Sequence, residues 1–377
     1  MTQFPIWTAD TAWRWYAARP WIAGCNFTPS TAINQLEMWQ GDTFDPATID
    51  AELAMAQSLG MTVVRVYLHD LLWAAESEAF AQRIDQFLDL AAARSIGVML
   101  VLFDSCWDPA PHLGPQRAPR DNVHNSGWVQ SPGMAALLDP AQHERLEQYV
   151  RGVVRRYASD PRVTIWDIWN EPDNGPDVAR CDADEMGTKA QAVLPLLERA
   201  FDWARSEAPM QPLTSGIWLG DWSNLDALTP LQRAQLDRSD IVSFHNYGTA
   251  ADFERRVEWL RPLGRPIICT EFMARPAGST FEAILPIAKR HGVGAICWGL
   301  VRGKTQTHLP WDNWVSDLED FPKEAWFHDI FEPNGSPHDA AEVEFIRQMT
   351  NLADFIGVPA PTIAADAPAA EPVFAPG

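Results

Sequence analysis

Two glutamates that could act on one bond end two apolar segments far apart in the chain. Glu171 follows Asn170 and precedes Pro172, and Glu271 follows the run Pro266–Thr270. Ionisable side chains are rarely placed at the end of a buried strand unless they are paired or functional. Two carboxylates facing each other across a sugar-sized cleft are the minimum requirement for glycoside hydrolysis. The sequence therefore predicts a catalytic carboxylate pair, and the alternative for each glutamate alone is an ion pair or a loop contact.

The segments that must position these glutamates alternate between short apolar runs and amphipathic stretches. One amphipathic stretch has readable helix ends, with Asp45 as the N-cap, Pro46 at the first helical position and Gly60 at its end. Continuous apolar runs are typical of parallel strands that are covered on both faces. The sequence predicts eight such strands: Trp21–Phe27, Thr62–Leu68, Val98–Phe103, Thr164–Asn170, Leu213–Trp218, Ile241–Tyr247, Pro266–Thr270 and Gly294–Trp298.

Strict alternation of these strands with helices predicts an α/β fold, a single (β/α)8 TIM barrel over residues 1–357, rather than a doubly wound sheet. Residues 358–377 are rich in Ala and Pro and lack periodicity, so we expect a disordered tail there. Loops that follow a strand and precede a helix gather at the C-terminal rim of a barrel, where sites are built. Four such loops are long: 32–43, 105–140, 172–187 and 301–337.

Composition and charge restrict the partners. The formal net charge of −21 argues against a nucleic acid and against a membrane surface, because both attract clustered Lys and Arg. A neutral oligosaccharide or polysaccharide fits better, and several of the 18 Trp residues could stack on sugar faces. Met1–Trp15 lacks a signal-peptide pattern and the five cysteines are scattered, so we expect a cytoplasmic protein. The oligomeric state stays open.

The end of the fourth predicted strand, together with the glutamate that ends the seventh, resembles glycoside hydrolase clan A, and most closely family 5, the cellulase and mannanase group. The resemblance spans residues 20–357. It implies a retaining double displacement in which Glu171 is the acid/base and Glu271 is the nucleophile. It also implies that Asn170 binds the 2-hydroxyl of the substrate. We expect no cofactor and no metal.

Other predicted strand ends agree with this resemblance. Arg65 is a charge inside an apolar run and must be paired if it is buried. The resemblance implies that it lies beside the nucleophile and keeps it ionised. His245 and Tyr247 share one strand face, and the matching family pair contacts the sugar and the nucleophile. Trp298 stands where the family places a stacking platform under the cleaved sugar.

One departure from the family pattern concerns the third predicted strand, which lacks the histidine that family members commonly carry at its end. Asp104 and Trp107 are the candidates for the same subsite. The first long loop is dense in side chains that suit sugars. Asn34, Glu37 and Trp39 are therefore candidate specificity residues, and the alternative is that they only brace the loop.

The proposed chemistry requires opposite tuning of two like groups. Glu271 must stay ionised, whereas Glu171 must hold a proton near neutral pH, which we expect an apolar wall to favour. Because Asn170 and Glu171 are adjacent, a regular strand would point them to opposite faces. We therefore expect a backbone kink at Pro172 that turns both toward the cleft.

Two other classes of function remain open at this point. A carbohydrate-binding pseudoenzyme would keep the aromatic cleft without chemistry, but this chain retains both glutamates. A metal-dependent barrel hydrolase would need a histidine pair or a His/Asp cluster at strand ends, and the sequence shows no HxH pair. The long loops favour a pocket and a short oligosaccharide. The sugar configuration and the choice between exo and endo action stay open.

Overall fold

Eight parallel strands form the centre of the computed structural model, which describes residues 5–175, 183–311 and 325–351. They are paired in the order β5-β4-β3-β2-β1-β8-β7-β6, and a bridge between Ile217 and Phe244 brings the two outer strands together. The result is a nearly closed (β/α)8 TIM barrel, which confirms the predicted fold. The strands are β1 (Ala23–Asn26), β2 (Val63–Tyr67), β3 (Gly97–Asp104), β4 (Val163–Asn170), β5 (Leu213–Thr214), β6 (Val242–His245), β7 (Ile267–Phe272) and β8 (Gly294–Cys297).

Helices lie between the strands and cover the outside of the barrel. The predicted N-cap is confirmed, since the Asp45 side chain accepts a hydrogen bond from the backbone N–H of Thr48 at 3.1 Å. The α-helices among the described residues are α1 (Ala9–Ala17), α2 (Gln35–Trp39), α3 (Pro46–Ser58), α4 (Asp70–Ala93), α5 (Met134–Leu138), α6 (His143–Tyr157), α7 (Ala183–Ser206), α8 (Pro230–Arg238), α9 (Ala250–Leu260), α10 (Phe281–His291) and α11 (Ala340–Thr350). No helix in these ranges combines the length and apolar character needed to cross a bilayer.

Helix α1 closes the N-terminal end of the barrel, an element that the sequence analysis does not predict. Ala12, Trp15 and Tyr16 are spaced by three and four residues, so they share one helix face. That face packs on a layer of side chains from the lower ends of the strands: Ile22, Val63, Met99, Ile165, Ile241, Ile268 and Ile296. Because this end is filled, the site must be sought at the opposite, C-terminal rim.

The structure corrects three predicted strands near the rim. The sixth was expected to run to Tyr247, but β6 stops at His245, so Tyr247 lies beyond the strand. The fifth was expected to run to Trp218, but β5 stops at Thr214 because the next backbone N–H, of Ser215, donates to a side chain, the Ser239 hydroxyl. The seventh was expected to end before Glu271, but β7 continues through Glu271 to Phe272. The predicted disordered tail lies outside the described residues.

Candidate active site

A pocket of about 350 Å³ opens at the C-terminal rim of the barrel. Its wall is mostly aromatic, and among the described residues it contains two carboxylates but no Lys or Arg. Such a surface suits the apolar faces of a neutral sugar. The lining residues are Cys106, Trp107, His124, Asn125, Trp128, Asn170, Glu171, Asn174, Trp218, Tyr247, Glu271, Trp298 and Trp311.

Glu171 and Glu271 meet in this pocket, with His245 between them. One carboxylate oxygen of each glutamate and one ring nitrogen of His245 all lie within 4.8 Å of one another. His245 Nδ1 is 2.8 Å from Glu171 Oε1 and 3.5 Å from Glu271 Oε2. Both glutamates are buried. Two carboxylates from distant parts of the chain therefore share one small, buried space.

The backbone at the end of β4 explains how two adjacent residues both reach the pocket. The strand ends at Asn170, and Glu171 has a φ of 44°, in the left-handed region. The Glu171 carbonyl then accepts a hydrogen bond from the Asn174 N–H at 2.8 Å, which closes a turn around Pro172. This change of conformation breaks the alternation of the strand. The predicted kink is confirmed.

Glu271 is surrounded by hydrogen-bond donors. Arg65 Nη1 donates to Oε1 at 2.8 Å, the Tyr67 hydroxyl donates to the same oxygen at 3.0 Å, and the Tyr247 hydroxyl donates to Oε2 at 2.7 Å. Burial and the nearby Glu271 raise the pKa of Tyr247 well above its ordinary value, so its hydroxyl keeps the proton that it donates. These donors stabilise a negative charge on Glu271.

Arg65 is fully buried and organises more than one side chain of the site. Its Nη2 donates to Asn170 Oδ1 at 2.7 Å, and its Nε and Nη2 both bond Asp167 Oδ2. The guanidinium thus fixes the orientation of Asn170 while it neutralises Glu271. Tyr67, which the sequence analysis does not name, shares the strand face of Arg65 because the two residues are two positions apart.

Glu171 has a different set of partners. Its Oε1 faces His245 Nδ1, and its Oε2 accepts hydrogen bonds from Asn174 Nδ2 at 2.6 Å and from the Cys106 thiol at 3.4 Å. Burial raises the pKa of Glu171, but His245 and these donors lower it by more, so the pKa lies below that of an ordinary glutamate. The expectation of an apolar wall that keeps Glu171 protonated is wrong in this arrangement, because polar donors from three segments surround the carboxyl.

The third strand supplies a supporting residue and a lining residue. Asp104 lies beneath the pocket, 1% exposed, and accepts hydrogen bonds from Asn170 Nδ2 at 3.0 Å and from Trp128 Nε1 at 2.5 Å. Burial raises its pKa to about 6. The prediction of a substrate contact is wrong for Asp104, since its carboxylate is used to hold two lining side chains. Trp107 does line the pocket.

The three candidates of the first loop lie outside the pocket. The prediction for Trp39 is wrong: its ring is 0% exposed, and its Nε1 donates to the backbone carbonyl of Tyr67. Asn34 caps α2 and donates to the Gly127 carbonyl at 2.8 Å. Glu37 forms an ion pair with Lys304 at 2.7 Å. The alternative holds for these residues, which brace the loop.

Seven lining residues are absent from the sequence predictions. They lie in loops, where no periodicity indicates the direction of a side chain, and the only signal was the high number of Trp residues. Trp218 is one example, since its Nε1 bonds Asp173 Oδ1 at 2.6 Å. The seven are Cys106, His124, Asn125, Trp128, Asn174, Trp218 and Trp311.

The trio of Glu171, His245 and Glu271 also has a spacing that could hold a metal ion. This cluster at the rim was not expected from the sequence, which has no HxH pair. However, the Arg65 guanidinium already supplies a positive charge at 2.8 Å from Glu271. Glu271 therefore already has a cationic partner, which it shares with Asp167.

Comparison with known proteins agrees with this geometry. The model of the family Cellulase (glycosyl hydrolase family 5) matches residues 23–314, more than half of the chain. No curated protein sequence matches the chain significantly. Among solved structures, an endo-1,4-β-D-mannanase from Thermotoga petrophila RKU-1 is similar with a TM-score of 0.54 and 15% identity, over 89% of this chain and 100% of that one.

Two further solved structures share the fold. A GH5_18 protein from Streptomyces cattleya, in complex with Manβ1-4GlcNAc, has a TM-score of 0.57 and 16% identity, over 91% of this chain and 83% of that one. An exo-β-1,4-mannosidase from Opitutaceae bacterium strain TAV5 has a TM-score of 0.55 and 19% identity, over 88% of this chain and 60% of that one. With the family match and the carboxylate pair at the rim, the chain belongs to glycosyl hydrolase family 5 and is an O-glycosyl hydrolase of clan A.

Proposed function

We propose that the protein is a retaining β-glycoside hydrolase that acts on a neutral oligosaccharide, with Glu271 as nucleophile and Glu171 as acid/base. The observation that carries this proposal is the approach of their carboxylate oxygens within 4.8 Å. Retaining enzymes hold their carboxyl groups about 5–5.5 Å apart, whereas inverting enzymes need roughly 6.5–9.5 Å to admit a water. The spacing here fits direct attack by a carboxylate.

The partners of the two glutamates support the division of roles. Glu271 accepts hydrogen bonds from Arg65 and two tyrosine hydroxyls, which hold its oxygen in place to attack the anomeric carbon and form a covalent glycosyl-enzyme. Glu171 gives a proton to the leaving oxygen, and His245 Nδ1 lies 2.8 Å from its carboxylate. A sugar that fills the pocket excludes water and favours the neutral form of Glu171. Glu171 then deprotonates the water that releases the sugar.

The remaining pocket residues suit the binding of one sugar ring. Trp298 offers a flat indole face beside the carboxylates, and Trp128 lies close to it with ring centroids 6.3 Å apart. Asn170, oriented by Arg65 and Asp104, faces the pocket as the partner of the 2-hydroxyl. Because the similar structures include a mannanase, a mannosidase and a protein bound to Manβ1-4GlcNAc, we propose β-mannosides as the first substrates to screen.

Azide rescue of two variants tests the roles. Glu271→Ala should lose hydrolysis of every glycoside, and azide should restore turnover to give the α-glycosyl azide. Glu171→Ala should keep hydrolysis of activated aryl glycosides, and azide should give the β-glycosyl azide. Glu282→Ala, an exposed glutamate on α10, is the matched control and should behave as wild type.

The outcomes separate this proposal from its alternatives. Wild-type activity in either active-site variant, with circular dichroism showing an intact fold, contradicts the assignment. A wild-type protein that binds oligosaccharides but hydrolyses none of a panel of aryl and natural glycosides is instead a carbohydrate-binding pseudoenzyme.

A further inference from the structure

Two rim loops are hydrogen-bonded to each other above the barrel. One is the loop after β3 and the other is the segment after β8. The Asn125 N–H donates to the Thr305 carbonyl at 2.7 Å, and His124 Nδ1 lies 2.9 Å from the Leu309 carbonyl. The Gln306 side chain donates to two further backbone carbonyls of the β3 loop. We call the residues joined in this way the clasp: Arg120, Val123, His124 and Asn125 of the β3 loop, with Thr305, Gln306 and Leu309 of the segment after β8.

The loop after β1 reinforces the clasp from outside. Asn34 donates to the Gly127 carbonyl and Gln35 donates to the Val129 carbonyl, which ties this loop to the β3 loop. Glu37 forms its ion pair with Lys304, immediately before the second clasp segment. Three loops that start from β1, β3 and β8 are therefore joined by direct bonds, so the clasp is a fixed wall.

The position of the clasp follows from the strand order. β2 and β1 lie between β3 and β8 in the sheet, so the clasp spans the rim above these two strands. Glu171 directly follows β4 and Glu271 lies on β7. These two strands border the opposite side of the rim, where Trp218 lines the pocket after β5. His124 and Asn125, both in the clasp, line the pocket themselves. The wall therefore limits the pocket directly.

The proposed function fixes how a sugar faces this wall. Its C1 lies between the two glutamates and its ring rests on Trp298. The Trp298 ring contacts Tyr67 of β2 and Trp128, with centroids 6.1 and 6.3 Å away, so this platform lies on the clasp side of the pocket. In a pyranose, C4 is opposite C1. The C4 end of the ring therefore points toward the clasp, where a further sugar would meet the wall.

Asn125 carries an acceptor that matches a free hydroxyl at that end. Within the described ranges its side-chain Oδ1 is buried and has no hydrogen-bond partner, although the residue lines the pocket. Leaving a buried acceptor unpaired is unfavourable, and a turn of the terminal amide of Asn125 lets Oδ1 reach a donor on a ligand in the pocket. A terminal sugar hydroxyl donates a proton, whereas the oxygen of a glycosidic bond has none to donate.

We propose that the clasp makes this enzyme exo-acting. It removes a single sugar from the non-reducing end, and Asn125 is the specificity-determining residue that accepts a hydrogen bond from the free terminal hydroxyl. This inference rests on the proposed function, because the direction of the sugar follows from the roles of the two glutamates.

Substrates with a free or a blocked end test the inference. The probes are a linear β-1,4-linked trisaccharide, of mannose first and of glucose second, and the same trisaccharide methylated at the terminal O4. We expect the first product of the free form to be the monosaccharide, and we expect the blocked form to react at least 100-fold more slowly. Early release of a disaccharide from the non-reducing end, or equal rates for both forms, overturns exo action while leaving glycoside hydrolysis intact. Failure to cleave any glycoside refutes the proposed function and this inference with it.

A pair of glycine variants tests the role of Asn125. Asn122 and Asn125 lie in the same loop and both have positive φ, 59° and 48°, which glycine adopts freely. Asn125→Gly should lower kcat/KM for the free trisaccharide by about fivefold to tenfold, the effect of one neutral hydrogen bond. Asn125→Gly should also reduce the ratio of kcat/KM for the free trisaccharide to kcat/KM for the methylated one. The exposed Asn122→Gly should change neither value. An unchanged preference in Asn125→Gly contradicts the role of this residue.

Discussion

Asn174 offers a direct way to perturb the acid/base without removing it. Its side-chain Nδ2 donates to Glu171 Oε2 at 2.6 Å, and the residue is buried. This bond stabilises the ionised carboxylate more than the neutral acid. Asn174→Ala removes the donor and leaves the backbone bond from its N–H to the Glu171 carbonyl in place. We expect the pKa of Glu171 to rise.

The size of this effect follows from the kind of bond that is lost. A hydrogen bond to a charged group contributes about 1.5–3 kcal/mol, and one pKa unit corresponds to about 1.4 kcal/mol. The pKa of Glu171 should therefore rise by about 1–2. The Cys106 thiol bonds the same oxygen from 3.4 Å and is a weaker donor. Cys106→Ala should raise the pKa in the same direction by less.

The assay is the pH dependence of kcat/KM on a glycoside with a poor leaving group. Its alkaline limb reports protonation of the acid/base in the free enzyme. The limb should move to higher pH by about 1–2 in Asn174→Ala and by a smaller amount in Cys106→Ala. A 2,4-dinitrophenyl glycoside, whose departure needs no acid, is the control and should show no such shift.

Two results would refute this reasoning. An alkaline limb that stays in place in Asn174→Ala means that the amide does not stabilise the ionised form of Glu171. A limb that moves to lower pH means that the net interaction has the opposite sign. A change in KM alone would report only a substrate contact and would leave the pH limb as the deciding observation.

Three further predictions concern stability and metal dependence. Burial raises the pKa of Glu52 to about 7, so the tendency of this carboxyl to ionise opposes folding at higher pH. Glu52→Gln should therefore raise Tm more at pH 8 than at pH 5. An equal rise at the two pH values would contradict the raised pKa of Glu52. Trp15→Ala should lower the free energy of unfolding by about 3 kcal/mol, since it leaves a cavity at the closed end of the barrel. Met210 is exposed, so Met210→Ala should leave the free energy of unfolding unchanged. Activity per folded molecule should persist in both variants. Dialysis against EDTA should leave kcat unchanged, whereas a loss that Zn²⁺ restores would assign a metal to the cluster of Glu171, His245 and Glu271.

The carboxylate pair could be predicted from sequence because strands impose simple rules. Glu171 and Glu271 each end an apolar run, and a closed barrel brings the C-terminal ends of all its strands to one rim. Arg65 was found by the same logic, as a charge that a buried strand cannot leave unpaired. The simple geometry of parallel strands therefore made the carboxylate pair and Arg65 predictable from the sequence.

The wall of the pocket could not be predicted, because loop side chains are directed by long-range contacts. Trp39 suits a sugar by its chemistry, but the short helix α2 turns its ring onto Phe80 and Phe87 in the core. Asn125 lines the pocket in a loop whose backbone is bonded to Thr305, far away in the chain. Nothing in local spacing signals either outcome.

The direction of the pKa shift of Glu171 could not be predicted from the sequence either, because it depends on long-range contacts. The sequence indicated a carboxyl at the end of an apolar strand, where burial alone would raise the pKa. The structure adds donors from Cys106, Asn174 and His245, which belong to three different segments. Their combined effect reverses the sign, and only the folded arrangement reveals it.

Trapping of the covalent intermediate tests the central claim most directly. The enzyme would be incubated with a 2-deoxy-2-fluoro β-glycoside that carries a good leaving group, digested and mapped by mass spectrometry. We expect one added fluorosugar on the peptide that contains Glu271, and none in Glu271→Ala. An adduct on Glu171 or another residue, or turnover of a natural substrate with inversion at the anomeric carbon, would contradict the assignment of the two glutamates.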